Sequence, residues 1–278
     1  MNPTDFDYIT SELKKRSGIV IGQDKLYLLE SRLSPLARKE GLTSMDELVS
    51  VVRTRRDERL MAQIVDAMTT NETFFFRDKT PFEHLEKVVF PALTKAGSSN
   101  RIRILCAACS TGQEPYSIAM MLDQNPQIAR GAHVEIVATD ISDRVLEKAK
   151  AGVYSQFEVQ RGLPIKSLMT YFTQQGDLWK ISDKLRTNVS FRKLNLLDPL
   201  TGLGSFDIVL CRNVLIYFDM PTKRDILTRL SRQMSDKSYL LLGAAETVVG
   251  VCDAFVANKE TRGLYEKQPA AARGIRAA

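Results

Sequence analysis

The chain has 278 residues, of which 44% are hydrophobic and 26% charged, and its formal net charge is +6. This length allows one large domain with a smaller one and a substantial core. Four cysteines and two histidines argue against a disulfide scaffold and a His-rich metal site. The sequence has no signal-peptide-like start and no apolar run approaching the roughly 20 residues of a membrane span. We therefore expect a cytoplasmic protein, and its positive charge indicates an acidic partner, which could be nucleic acid, an anionic membrane surface or a protein.

The first 80 residues predict helices and no convincing strand. Apolar side chains recur at helical spacing behind a Thr4 N-cap, and Gly18 marks the end of this first helix. Pro35 is expected to kink or interrupt the second helix. The pattern predicts an all-α N-terminal domain over residues 1–80.

After Pro91, short apolar runs of buried-strand type alternate with helical patterns, which predicts βαβ units and a parallel sheet. Residues 178–194 alternate short strands with polar turns and predict a small antiparallel insertion without a helix. Two further runs predict a closing hairpin, and residues 269–278 are expected to be disordered. The predicted strands of the parallel sheet are 101–107, 134–139, 206–211 and 239–243, and those of the hairpin are 255–258 and 263–266.

The first predicted strand runs into CAACSTGQEPYS, residues 106–117. Small residues with Gly112, followed by Pro115 near a helix start, predict a tight turn that admits a ligand against the backbone. The turn lacks the GxGxxG fingerprint of dinucleotide sites, and Glu114 favours a ligand with a cationic end, such as an amino group. A plain strand-to-helix turn explains the same residues equally well.

Acidic and polar side chains follow two other predicted strands. Asp140 ends the second strand, where it is placed to accept both hydroxyl hydrogens of an adenosine ribose; alternatively, Asp140 or Ser142 is a helix N-cap. The predicted strand 206–211 runs into CRNVLIYF, residues 211–218, where an adenine-methylating enzyme would carry an Asn/Asp-Pro-Pro-aromatic motif. That motif and a Pro-Cys nucleophile are absent from the sequence, which argues against nucleic-acid methylation. Core packing suits Leu215 and Phe218, but suits Asn213 and Tyr217 less well.

The segment TTNETFFFRD, residues 69–78, mixes polar and aromatic side chains. Burial is expected for Phe74 and Phe75, whereas Asn71, Thr73 and Arg77 have the character of ligand contacts. Cys106 and Cys109 form a lone CxxC without a second ligand pair, so we interpret both as packing residues and expect no metal.

Together these motifs resemble one family, the chemotaxis receptor glutamate methyltransferases of the CheR type. The resemblance extends from the N-terminal helices to about Lys267 and rests on five motifs in order: TTNETFFFRD, CxxCSTGQEPYS, ATDIS, LNLLDP and CRNVLIYF. It implies an α/β fold, with a Rossmann-like S-adenosylmethionine-dependent methyltransferase domain over 81–268 that carries a small antiparallel β-subdomain insertion at about 170–194. An all-α N-terminal domain precedes it.

The resemblance also implies the site. Arg77 and Tyr217 match the positions proposed to act at the methyl-transfer centre. A glutamate acceptor is already ionised at neutral pH, so the chemistry needs placement and exclusion of water rather than a strong base. The cofactor contacts carried over from the family are Asn71, Thr73, Arg77, Glu114, Asp140, Asn195, Leu196, Arg212 and Asn213.

The implied partner is the acidic helical methylation region of a chemoreceptor. A basic N-terminal domain suits it, although a solvated helix face is the simpler interpretation of any single cation. We expect a monomer that neither binds nucleic acid nor inserts into the membrane. The cations concerned are Arg32, Arg38, Lys39, Arg53, Arg55, Arg56 and Arg59.

The loop within the predicted antiparallel insertion bears on how the receptor is bound. Family members that bind a receptor's C-terminal pentapeptide carry a longer, Gly-containing loop where this chain has only Gln174–Asp177. We therefore expect a pentapeptide-independent enzyme.

Two other functions are weighed against the enzyme. The first is a non-catalytic sensor of S-adenosylmethionine or S-adenosylhomocysteine. The second is a basic nucleic-acid methyltransferase, whose motif is missing from this sequence.

Overall fold

The computed structural model describes residues 1–95 and 100–269. Contacts divide the chain into two compact units, Met1–Thr70 with Tyr217–Thr222, and Asn71–Ile216 with Lys223–Ala278. The tail expected to be disordered lies outside the described residues from position 270 onward.

The first unit is helical, and its helices bury one apolar stripe each. The helix Leu26–Lys39, for example, buries Leu29, Leu33 and Ala37, which lie on one face because a helix repeats every 3.6 residues. The helices are α1 (Pro3–Ser17), α2 (Leu26–Lys39), α3 (Met45–Arg55) and α4 (Glu58–Met68), with a 3-10 turn at Gln23–Lys25.

One local prediction in this unit was wrong. Asn2, not Thr4, caps α1, because its side-chain oxygen accepts a hydrogen bond from the Asp5 N–H at 2.8 Å. Of the two outcomes expected at Pro35, interruption does not occur, since α2 continues through this exposed residue to Lys39, and a kink there stays a prediction. The predicted end of α1 is confirmed, since Gly18 adopts the left-handed conformation with φ of 78°.

The second unit alternates helices and strands. Helices α5 (Thr80–His84) and α6 (Phe90–Lys95) are joined by a π-helical turn at Leu85–Val89, and short 3-10 turns lie at Pro126–Ala129, Thr201–Leu203 and Leu215–Tyr217. The remaining helices are α7 (Gln113–Gln124), α8 (Asp143–Ala151), α9 (Gln156–Gln160), α10 (Ile165–Tyr171), α11 (Asp183–Arg186) and α12 (Met220–Arg232). No helix among the described residues is long and apolar enough to cross a membrane.

A seven-stranded sheet forms the centre of the second unit, in the order β6-β2-β1-β7-β8-β10-β9. Strands β6 to β8 in that order are parallel, and β10 and β9 add an antiparallel edge. This confirms the Rossmann-like α/β fold class and the closing hairpin. The strands are β1 (Arg101–Ala107), β2 (His133–Asp140), β6 (Val189–Lys193), β7 (Phe206–Cys211), β8 (Met234–Leu242), β9 (Phe255–Ala257) and β10 (Leu264–Lys267).

A separate three-stranded antiparallel sheet has the order β3-β5-β4, from β3 (Val153–Ser155), β4 (Phe172–Gln175) and β5 (Leu178–Ile181). It confirms a small antiparallel element but corrects its extent. The prediction for 178–194 was wrong for Val189–Lys193, which pairs parallel to β2 in the large sheet, and the short helix α11 lies between.

Candidate functional site

Strands β6, β2, β1 and β7 are parallel neighbours, so their carboxyl ends meet at one edge of the large sheet. Asp140 of β2 lies opposite Lys193 of β6, and Ala107 of β1 lies opposite both Thr139 and Cys211. Ligands of open α/β sheets bind at this edge. It carries six of the predicted cofactor contacts: Glu114, Asp140, Asn195, Leu196, Arg212 and Asn213.

The turn between β1 and α7 is unusually tight. Ala108, Ser110 and Gly112 have φ values of 56°, 51° and 92°, a left-handed conformation that costs about 1–2 kcal/mol for a non-glycine residue. Neighbouring groups hold it: the Ser110 hydroxyl donates to the Asn71 carbonyl at 2.8 Å, and the Tyr154 hydroxyl donates to the Thr111 carbonyl at 2.8 Å. The backbone of the turn is therefore fixed at the sheet edge.

Asp140 is buried at the end of β2, with 6% of its surface exposed. One carboxylate oxygen accepts from the Ser110 N–H at 2.8 Å and the other from the Ser142 N–H at 3.0 Å. These bonds orient the carboxylate between the two turns. Ser142, not Asp140, caps α8, since its hydroxyl accepts from the Val145 N–H.

Arg212 lies directly after β7, and its side chain is only 2% exposed. Its guanidinium donates to the Glu114 carboxylate at 2.7 Å, to the Asp78 carboxylate at 2.7 Å and to the Arg77 carbonyl at 2.9 Å. A buried cation needs such pairing to offset its desolvation. The cation thereby connects the first turn of α7 to the 71–78 segment.

The carboxylate of Glu246 organises the loop after β7. It accepts hydrogen bonds from the backbone N–H groups of Asn213, Val214, Leu215 and Gly243, at 2.7 to 2.9 Å. Asn213 has a φ of 59°, so the loop turns sharply at the predicted contact residue.

In the aromatic segment before α5, residues 74–76, Phe75 lies in the core whereas Phe74 is half-buried. Phe75 is fully buried and packs edge-on against Tyr154 and Phe172, with ring centroids 5.1 and 5.5 Å apart. The expected burial of Phe74 is only partial: its ring is half-buried, and the guanidinium groups of Arg161 and Arg77 lie 4.5 and 5.6 Å from the ring centroid.

Other predicted contacts have simpler surroundings. Arg77 is half-buried and donates to the Glu72 carbonyl at 2.7 Å, and Thr73 lies between Asn71 and Arg77 in the same segment. The Asn195 side-chain oxygen accepts from the Leu197 N–H at 3.0 Å in the loop after β6. Leu196, in that same loop, is buried.

Tyr217, the second predicted catalytic residue, is grouped with the first unit. Its carbonyl accepts from the Val20 N–H at 3.0 Å, and its side chain is half-buried. Its role in methyl transfer stays a prediction, like those of the residues in the second unit.

The cysteines are free and buried, as expected of packing residues. Burial, and then the nearby Glu114 carboxylate, raises the pKa of the Cys106 thiol well above its ordinary value. Burial and the Asp140 carboxylate do the same to the pKa of Cys109. Both thiols therefore stay protonated and unreactive at neutral pH. Within residues 1–95 and 100–269, no group of three or more His, Cys, Asp or Glu side chains is arranged to hold a metal.

The sequence predictions missed three residues that shape this edge: Asp78, Ser110 and Glu246. Asp78 and Ser110 lie inside the motifs already singled out. Glu246 carried a weaker signal, an acidic residue four positions after the end of β8, and only its long-range contacts show what it binds.

Comparison with known proteins gives matches over most of both units. Residues 71–264 match the family described as CheR methyltransferase, SAM binding domain, and residues 4–69 match the CheR methyltransferase, all-alpha domain. The chain is 46% identical to chemotaxis protein methyltransferase 1 of Pseudomonas aeruginosa, covering 90% of this chain and 93% of that one. It is 43% identical to chemotaxis protein methyltransferase Cher2 of Pseudomonas putida, again over 90% and 93%.

Proposed function

Because the chain belongs to the CheR family of chemotaxis methyltransferases and contains its S-adenosylmethionine-binding domain, we propose that it methylates glutamate side chains of chemoreceptors. The products are glutamate methyl esters and S-adenosylhomocysteine. The observation that carries the proposal is the sheet edge at which Glu114, Asp140 and the Arg212–Asn213 loop converge.

The donor set at this edge suits the cofactor. The oriented Asp140 carboxylate suits ribose hydroxyls, and Glu114 suits an ammonium group. Asn71, Thr73, Asn195, Leu196 and Asn213 would line the remainder. When bound, S-adenosylmethionine supplies a methyl group already activated by its sulfonium.

The acceptor needs little chemical activation. A glutamate carboxylate with an ordinary pKa of about 4.3 is ionised at neutral pH, so no general base is required. In this proposal the half-buried Arg77 orients that carboxylate, and the Tyr217 hydroxyl donates a hydrogen bond to it or to the cofactor. The chain's contribution is placement and exclusion of water.

Methyl transfer is tested with labelled S-adenosylmethionine and receptor-containing membranes. Wild-type protein should produce base-labile methyl esters on the receptor. Asp140→Ala should weaken S-adenosylhomocysteine binding about tenfold or more, since a buried acceptor is lost. Arg77→Ala should lower turnover about 100-fold while leaving folding intact.

Arg101→Ala is the matched control, because Arg101 lies at the amino end of β1 with a side chain 59% exposed. It should keep both binding and turnover. Cofactor binding without ester formation would contradict the enzyme and favour a sensor, and label in RNA or DNA would contradict the protein substrate. Wild-type values for Asp140→Ala or Arg77→Ala would remove their proposed roles.

The seven cations that the sequence predicts to suit an acidic receptor divide into two groups. Arg53 pairs with Asp5 at 2.8 Å and Arg59 with Glu40 at 2.7 Å, while Arg32 donates to the Met68 carbonyl at 2.6 Å. The other four are exposed and lie on α2 and at the end of α3. We infer that this second group faces an acidic receptor helix: Arg38, Lys39, Arg55 and Arg56.

Charge reversal tests whether the second group binds the receptor directly or acts only through the net charge of the protein. Arg38→Glu with Lys39→Glu should raise KM for receptor membranes and reduce the salt dependence of KM, without changing affinity for S-adenosylhomocysteine. Lys166→Glu, an exposed cation of the second unit, is the control. Equal KM values for both variants would contradict the proposed surface.

The antiparallel sheet supports recognition without a receptor tail. Strands β4 and β5 are joined by the two residues Gly176 and Asp177, with Gln175 paired to Leu178 and a φ of 61° at Gly176. The family resemblance implies a longer, Gly-containing loop at this place in relatives that bind a receptor pentapeptide. Calorimetry with a receptor tail peptide that ends in an aromatic residue should show no tight binding; a clear heat of binding would contradict the proposal.

We also propose that the protein is a cytoplasmic monomer, since the receptor's methylated helices and a reducing environment for its four free cysteines are both found there. Cell fractionation and light scattering test this. A dimer mass or membrane retention in the absence of receptor would contradict it.

A further inference from the structure

The hydrogen-bond ladder of the large sheet stops at a defined point beside the candidate site. The last paired residues of β7 and β8 are Cys211 and Leu242. Immediately beyond them, the chain enters the loop that starts with Arg212 and the loop that starts with Gly243. Neither loop has strand pairing to fix its position relative to the other.

Beyond the last paired residues of β7 and β8, Glu246 connects the two loops. One of its carboxylate oxygens accepts from the N–H groups of Asn213 and Gly243, both at 2.7 Å, so a single atom bridges the two loops. The other oxygen accepts from Val214 at 2.9 Å and Leu215 at 2.7 Å. Because a carboxylate has about four lone-pair sites, the acceptor capacity of Glu246 is fully used.

The carboxylate packs closely against the backbone of Gly243. A Cβ atom on Gly243 would lie 2.7 Å from the Glu246 carboxylate and 2.8 Å from the Asn213 side-chain nitrogen. Glu246 itself is buried, with 9% of its surface exposed. Charge-assisted hydrogen bonds in such surroundings are stronger than neutral ones, so they can hold Asn213 at its φ of 59°.

We propose that Glu246 is a positioning residue of the cofactor site, which fixes the Arg212–Asn213 loop through backbone N–H groups without touching the ligand. The inference rests on the proposed function in one respect, the assignment of Asn213 as a cofactor contact. It adds that the affinity for S-adenosylmethionine depends on a carboxylate supplied by the loop after β8.

Glu246→Gln is the decisive substitution, because the amide has the same shape but one acceptor oxygen fewer. Whichever way the amide turns, its NH2 group faces two of the four N–H donors, which then lose their partner. We expect the Kd for S-adenosylhomocysteine to rise about 10- to 100-fold. KM for S-adenosylmethionine should rise by a similar factor, with a smaller change in kcat at saturating cofactor.

Glu135→Gln is the matched control. Glu135 also accepts several side-chain hydrogen bonds, from Arg103 at 2.9 and 3.2 Å and from Arg101, but it lies toward the amino ends of β1 and β2. It should lower thermal stability and leave the Kd unchanged. A Glu246→Gln protein with the Kd of Glu135→Gln would overturn the proposal, since a merely structural role would lower only stability.

Asn213→Gly separates this inference from the site assignment, because glycine accepts the positive φ while removing the side chain. A weakened Kd supports Asn213 as a contact. Should Asn213→Gly bind like wild type, that assignment fails, and Glu246→Gln still decides whether the loop governs affinity.

Amide hydrogen exchange on wild-type protein keeps the inference testable if Glu246→Gln does not fold. The N–H groups of Asn213, Val214, Leu215 and Gly243 should exchange slowly and be protected further by S-adenosylhomocysteine. Ligand-induced protection at Asp140 without any at these four amides would overturn it.

Discussion

The buried ion pairs of Arg212 connect three segments of the candidate site, and Arg212→Met removes them while leaving an unbranched, uncharged side chain in place. Two carboxylates lose their cation. Glu114 has a side chain only 12% exposed, whereas that of Asp78 is 38% exposed. The Arg77 carbonyl also loses a donor at 2.9 Å.

The magnitude follows from these exposures. Leaving a buried charge without its partner costs about 3–5 kcal/mol, and Glu114 falls in this class. Asp78 reaches solvent, so its share is about 1 kcal/mol or less. Because methionine needs no desolvation of a guanidinium, we expect a net loss of about 3 kcal/mol in the free energy of unfolding of the second unit.

A double-mutant cycle with Glu114→Gln tests the cause. Removing the stranded carboxylate from the Arg212→Met protein should restore about 1–2 kcal/mol, although Glu114→Gln alone destabilises the wild type. Urea unfolding measures the free energy of unfolding of the wild type, both single variants and the double variant. Calorimetry measures the affinity of each for S-adenosylhomocysteine. A loss below about 1 kcal/mol, or no recovery in the double variant, would refute the argument that a paired buried charge holds these segments together.

Two further predictions concern stability. Hydrogen bonds from Arg103 lower the pKa of Glu135 to about 2. The stabilisation that this carboxylate gives is therefore present above the unfolded pKa of about 4.3 and is lost as pH falls toward 2. Glu135→Gln should lower the free energy of unfolding by about 1 kcal/mol at pH 7 after solvent screening, and urea titrations that give the same loss at pH 7 and pH 3 would contradict this. Gly112→Ala would place a Cβ 3.0 Å from that of Ala149 at a φ of 92°, costing about 2–4 kcal/mol in strain and overpacking. In the control Gly131→Ala, the residue has a φ of 82° and open space around it, so the free energy of unfolding should fall by only about 1–2 kcal/mol. Equal losses for the two variants would contradict the expected overpacking at Gly112.

The central strands were predictable because parallel strands covered on both faces need continuous apolar runs. Residues 101–107 and 206–211 have that pattern and form β1 and β7 with the predicted bounds. Strand β6 was not predictable as a parallel strand. Its sequence VSFRK alternates apolar and polar side chains, which suits any half-exposed strand, and its pairing with β2 is made by backbone groups that carry no sequence signal.

The candidate site could be predicted only in part. The place of Asp140 at the sheet edge was predictable from its position at the end of a strand, because ligands of open α/β sheets bind at that edge. Arg212 was implied only by the family resemblance. Asp78 and Glu246 could not be assigned, since each acts through partners distant in sequence: Asp78 lies 134 positions from Arg212, and Glu246 lies 33 positions from Asn213. Only the folded chain brings these groups together.

That separation in sequence has a consequence for how the protein is made. Glu114 and Arg212 are 98 positions apart, so closing their contact orders a long intervening loop, and non-local contacts of this kind form late. A chain still emerging from the ribosome lacks the carboxylate of Glu246 until strands β1 to β8 have all been synthesised. Under the proposal that Glu246 positions the Arg212–Asn213 loop, such a chain binds the ligand at full affinity only after that point, and S-adenosylhomocysteine at 100 times its Kd would add about 2.7 kcal/mol selectively to the folded state.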